Sequence, residues 1–196
     1  MDLKDGEFLV RFARETIGMW VKERKVIKRP RNLSAKFYEE RGVFTTLHTY
    51  PGKGLRGCIG IPQPVKPMIE AVIESAMSVT QDPRFPPLAA NELDNVIVEV
   101  SVLTKPEKIR VHHFTEYPDK VEIGKDGLII RNGMQSGLLL PQVPKEYGWD
   151  GKTFLEHLCL KASLPSNAWT YEGTEIFKFR SEIFSEKEPG GKVEKV

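Results

Sequence analysis

Residues 43–61 leave the chain little conformational choice. Val43-Phe-Thr-Thr-Leu-His-Thr-Tyr50 is β-branched and aromatic, Pro51-Gly-Lys-Gly54 is turn chemistry, and Leu55-Arg-Gly-Cys-Ile-Gly-Ile61 resumes as strand. Two strand-like runs joined by so short a turn lie antiparallel, because a parallel return needs a crossover of about a dozen residues or more. The fold is therefore expected to contain an antiparallel sheet.

On either side of this hairpin the apolar period changes from two to 3.6. Phe8, Leu9, Phe12, Ala13, Ile17, Trp20 and Val21 recur at helical spacing and predict an amphipathic helix over 5–26, broken by Arg29-Pro-Arg-Asn32. A short helix is expected from Ser34, a good N-cap, to Arg41, with Gly42 ending it. Pro62-Gln-Pro64 leads into a second long helix that tolerates Pro67 in its first turn. Met68, Ile69, Val72, Ile73, Ala76 and Met77 form its apolar face, and it must stop at Asp82-Pro83.

Val96–Leu103 reads as a strong strand, with weaker ones near 108–112, 120–124, 127–132 and 136–140. Asp126-Gly127 marks a hairpin turn between them. Asp150 caps a last helix with Leu155, Leu158, Cys159 and Ala162 on one face. Residues 174–185 form the final strand, and the charged stretch Ser185–Val196 is expected to fray, leaving a flexible tail over 187–196. Helices and strands do not alternate regularly. The fold class is α+β, with a mainly antiparallel sheet, flanking helices and one domain of two lobes, a size that 196 residues supports.

Composition narrows the setting. The 40% hydrophobic and 29% charged content is that of a globular protein, and no apolar run approaches the length of a membrane span. The first residues lack the basic and apolar segments of a leader, so none is expected. The only two cysteines, Cys58 and Cys159, make no disulfide framework and fit a reducing, cytoplasmic setting. A net charge of +2 selects no partner, although Lys22–Arg31 packs six basic residues into ten. That cluster reads either as a phosphate-holding patch or as a solvated helix end.

Two tempting motifs fail on context. Gly52-Lys-Gly-Leu-Arg-Gly57 spells the dinucleotide-binding fingerprint, which needs a helix after it; strand and proline follow instead. Gly57-Cys-Ile-Gly60 spells the KH loop, which joins two helices. Cys58 remains. Strand alternation would put Arg56 on its face, where a guanidinium favours the thiolate. Gly57 and Gly60 would let a ligand or another backbone approach. A small buried cysteine is the competing reading, and Cys159 is expected to be core. His48 falls opposite Cys58 only in one hairpin register. His112, His113 and His157 have no ligand spacing with either cysteine, so no metal site and no cofactor are expected.

Asp82-Pro-Arg-Phe-Pro-Pro87 is stiff, and either presents Asp82 and Arg84 to a ligand or packs Phe85 inward. Glu99 alternates out of phase with Val96, Val98, Val100 and Val102, so it occupies the second face of its strand. Gln142 stands just beyond a strand end, where its amide can both donate and accept.

Together these stretches resemble the AMMECR1 domain family. Leu55-Arg-Gly-Cys-Ile-Gly60, Asp82-Pro-Arg-Phe-Pro-Pro87, Val98-Glu-Val-Ser-Val-Leu103, Gly137-Leu-Leu-Leu-Pro-Gln-Val143 and Phe154–Trp169 match in order. The visible departure is Ser163, where the family commonly has glycine. The resemblance implies an α+β domain over 1–186, in two lobes, with the signature strand in the larger sheet. It carries a site over to Cys58, Arg56, Asp82 and Glu99, with Gly57, Gly60, Arg84 and Gln142 as ligand contacts. Two functions stay open. One is a cysteine-dependent enzyme acting on a nucleobase, nucleotide or RNA, with family-level links to RNA modification. The other is a non-catalytic module for a peptide, nucleotide or partner protein.

Overall fold

The computed structural model describes residues 1–196, which divide into two compact units: Met1–Leu103 with Glu182–Val196, and Thr104–Ser181.

The first unit is built on a five-stranded sheet. Helix α1 spans Leu3–Glu23, strands β1 and β2 span Val43–Thr49 and Leu55–Ile61, helix α2 spans Met68–Ser78, and β3 spans Val96–Leu103. Helix α1 starts and stops earlier than its apolar period suggests. Asp2 and Asp5 close a reciprocal capping box, and Arg24 turns left-handed at the other end. The expected 34–41 helix is a single 3-10 turn, Ala35–Tyr38, and α2 tightens into another at Val79–Gln81 before Asp82. Val43 and Leu47 of β1, and Val96, Val98, Val100 and Val102 of β3, turn to one face. There they meet Leu9, Phe12, Ala13 and Ile17 of α1 and Met68, Ile69, Val72 and Ala76 of α2.

The second unit carries a four-stranded sheet. Its strands are β4 (Glu107–Lys108), β5 (Gly127–Asn132), β6 (Gln135–Leu139) and β7 (Glu175–Phe179), in spatial order β4-β7-β5-β6. Residues 120–124 are not a strand; Pro118–Lys120 is a 3-10 turn and the chain then bends back to β5. Two helices follow β6: a short α3, Gln142–Tyr147, and α4, Gly151–Lys161, capped by Asp150 as its sequence predicts. Phe154, Leu155, Leu158 and Cys159 of α4 pack on Leu128, Ile130 and Ile176.

The run 174–185 is two strands. After β7 the chain returns to the first unit as β8, Ser181–Glu186, and the segment expected to fray pairs with it as β9, Val193–Lys195. The first sheet therefore reads β2-β1-β3-β8-β9, with β2 at one edge.

Candidate functional site

The register of the hairpin decides what meets Cys58. Thr46 of β1 pairs with Cys58 on one side and with Glu99 of β3 on the other. Strand alternation puts the three side chains on the face opposite the helices, in a row across β2, β1 and β3. Cys58 turns its own N–H and C=O outward, so its pairing with Thr46 is the close, non-hydrogen-bonded kind. The Thr46 hydroxyl accordingly donates to the Cys58 Sγ at 3.4 Å.

His48 lies two residues along the same face of β1, opposite Ile97, with its Nε2 3.7 Å from Glu99 Oε2. It does not face Cys58. A β-bulge shifts the ladder between Leu47 and His48, so Leu55 stands opposite His48 and Arg56 has no partner in β1. The Arg56 guanidinium holds Glu92 through two bonds of 2.8 and 2.9 Å and donates to the Pro86 carbonyl at 3.0 Å. Hydrogen bonds from Arg56 lower the Glu92 carboxyl from its ordinary value, against the opposing effect of burial.

The cation bonded to Cys58 is Arg84, whose Nη2 donates to the Cys58 carbonyl at 3.1 Å. Asp82 completes the arrangement by accepting the Cys58 N–H at 2.8 Å. Strand β2 is an edge, so Cys58 would otherwise present two unpaired backbone groups. The Asp82–Arg84 pair occupies both, as a neighbouring strand would. The Asp82 carboxylate also accepts the Arg84 N–H and two guanidinium N–H groups, at 3.1, 3.0 and 2.7 Å. Those guanidinium bonds, with the backbone donors of Cys58 and Arg84, hold the Asp82 carboxyl far below the ordinary carboxylate range although burial opposes them. A carboxylate so saturated anchors the strand; it has little capacity to move a proton near neutral pH.

The two signature glycines have packing reasons. A Cβ at Gly57 would stand 2.9 Å from the Val79 carbonyl oxygen, and one at Gly60 would stand 2.2 Å from the Phe44 ring and 2.6 Å from the Val43 carbonyl oxygen. The ring can swing aside, but the strand backbone cannot, so Gly60→Ala is expected to cost about 1–3 kcal/mol of stability by overpacking. Urea denaturation of the variant checks this.

Gln142 belongs to the second unit, where it is exposed and opens α3 instead of standing in a loop. Cys159 is fully buried on α4, and burial pushes its thiol up. Thr46, absent from the sequence expectations, stands between Cys58 and Glu99 in the ladder and contacts the thiol. Its signal was its place in the hairpin, legible only with the register.

A family profile described as AMMECR1 matches residues 10–184. The chain belongs to the AMMECR1 family. Protein MJ0810 of Methanocaldococcus jannaschii is 53% identical over 194 residues, covering 98% of this chain and 96% of that protein. A protein of Aquifex aeolicus is 48% identical over 198 residues, covering 100% and 98%. Among solved structures, the crystal structure of protein PH0010 from Pyrococcus horikoshii has a TM-score of 0.82 and 46% identity, covering 100% of this chain and 98% of that one. The AMMECR1 signature Leu55–Gly60 is thus the edge strand whose cysteine carries both the Asp82–Arg84 anchor and the Thr46 contact. No helix is long and apolar enough to cross a membrane.

Proposed function

We propose that this AMMECR1 protein is a cysteine-dependent enzyme whose nucleophile is Cys58 and whose substrate is a nucleobase, a nucleotide or RNA. The observation that carries this reading is the row Cys58–Thr46–Glu99 on the sheet face away from the helices. A thiolate needs donors, and the Thr46 hydroxyl already points at the sulfur. Arg84 adds a cation bound to the same residue's carbonyl, the place expected of Arg56. Glu99 is the proton-transfer group, with His48 Nε2 3.7 Å from its carboxylate. Asp82 and Arg56 are positioning residues: one fixes the strand at Cys58 and the other holds the 86–92 loop against it.

The test is thiol chemistry on the folded protein. Iodoacetamide is expected to alkylate Cys58 roughly tenfold or more faster than the buried Cys159, read by peptide mass spectrometry. Cys58→Ser should fold normally and lose any turnover found with nucleotide or RNA substrates. Equal and sluggish labelling of both thiols would sink the proposal.

A second reading has one observation in its favour. Asp82, Arg84 and Arg56 are all bonded to protein partners, which suits a preformed groove for a nucleotide, a peptide or a partner protein. On that reading Cys58→Ser leaves binding unchanged and no turnover exists.

A further inference from the structure

A pocket of about 310 Å³ opens in the first unit, at the low end of the range for small-molecule sites. It is lined by His48, Lys53, Ile97, Glu99, Ser185, Glu186, Glu194 and Val196. Two of its carboxylates are already matched: Glu186 is held by Arg14 and Glu194 by Lys187. Glu99 differs. Its side chain is 19% exposed, and the ring nitrogen beside it, His48 Nε2, stands at 3.7 Å, beyond hydrogen-bond reach. A carboxylate that reaches the pocket with no protein donor in hydrogen-bond range is an acceptor pair open to a ligand. Lys53 is its counterpart, an exposed ammonium on the β1–β2 turn with no carboxylate salt-bridged to it.

We propose that this pocket binds a guanine nucleotide, with the base edge on Glu99 and the phosphate on Lys53. Two adjacent N–H donors suit the two oxygens of a carboxylate, and among the common bases guanine presents such a pair, N1–H and N2–H, on its Watson–Crick edge. Adenine offers an acceptor beside its amino group and would leave Glu99 facing a lone pair. Lys53 supplies a mobile point charge, which fits a terminal phosphate better than it fits a planar partner. The proposal rests on the nucleotide reading of the same site and names the base, but it requires no chemistry at Cys58.

Equilibrium dialysis of the full chain with GMP, AMP and guanosine tests it, with thermal melting to confirm that each variant is folded. GMP is expected to bind saturably, and AMP about tenfold or more weakly. Glu99→Gln, which replaces one acceptor oxygen with a donor, should lose about tenfold or more for GMP and guanosine alike. Lys53→Ala should weaken GMP and leave guanosine unchanged. A 5′-phosphorylated trinucleotide with one guanine separates the sources. Binding as tight as GMP identifies an RNA guanine, exclusion identifies a free nucleotide, and either is consistent with the site. Saturable, Glu99-dependent GMP binding by a protein whose two thiols alkylate equally slowly keeps the pocket assignment and removes only the thiol chemistry. No saturable GMP binding, equal binding of AMP, or an unaffected Glu99→Gln in a folded protein would overturn it.

Discussion

Glu186→Ala is expected to destabilise the first unit by about 4 kcal/mol, in the range found when one partner of a buried ion pair is removed. The Glu186 side chain is fully buried and Arg14 is 22% exposed. Its carboxylate takes both Arg14 Nε and Nη2, at 2.6 and 2.5 Å, and accepts the Val98 N–H at 2.9 Å. Arg14 in turn donates to the Leu93 and Val96 carbonyls, so one carboxylate ties α1, β3 and β8 together. Alanine would strand a guanidinium charge and orphan a buried N–H of the central strand. Lys187→Ala, on the next residue, breaks only an exposed pair with Glu194 and should cost less than about 1 kcal/mol. Guanidinium unfolding of both variants separates these values. Near-equal, small losses would mean that β8 and β9 contribute little.

Asp82→Ala is the second large effect, expected at about 3 kcal/mol. It falls at the low end of the buried-pair range because Arg84, with its side chain 55% exposed, can rehydrate. The orphaned Cys58 N–H cannot do so as readily. The pH dependence carries a definite sign. The folded Asp82 carboxyl is depressed below its ordinary value of 3.8. Its contribution is therefore fully present above that value and lost as the pH falls below it. The stability gap between the parent and Asp82→Asn should hold steady from about pH 5 to 8 and shrink below about pH 4. A gap that widened on acidification would show that Asp82 does not act through its charge. The same variants report on the site: loosening the edge at Cys58 should change its alkylation rate, and a purely remote stability loss would not.

Much of this was legible in the residues. Apolar periods of 3.6 and 2 are local properties, so α1, α2, the 43–61 hairpin, β3 and α4 could be read from single stretches of chain. The out-of-phase position of Glu99 in β3 was readable for the same reason, as was the burial of Cys159 on the apolar face of its helix. The weaker strands of the second unit were less readable. Residues 120–124 carry valine and isoleucine but turn instead, because pairing partners, not propensity, decide short strands.

The sequence by itself determined that Cys58 sits on a hairpin strand between two glycines, and that five ordered segments place the chain in the AMMECR1 family. It could not determine what Cys58 meets. The register of the hairpin sets Thr46, not His48, opposite the thiol, and the one extra residue in the ladder falls at Arg56, whose guanidinium goes to Glu92. A bulge is a property of paired strands, and nothing local to Arg56 encodes it. The Asp82–Arg84 anchor and the burial of Glu186 likewise join residues far apart in the chain. Charged side chains in a turn and in a polar tail look solvated until the fold excludes water from them, and only the tertiary structure does that.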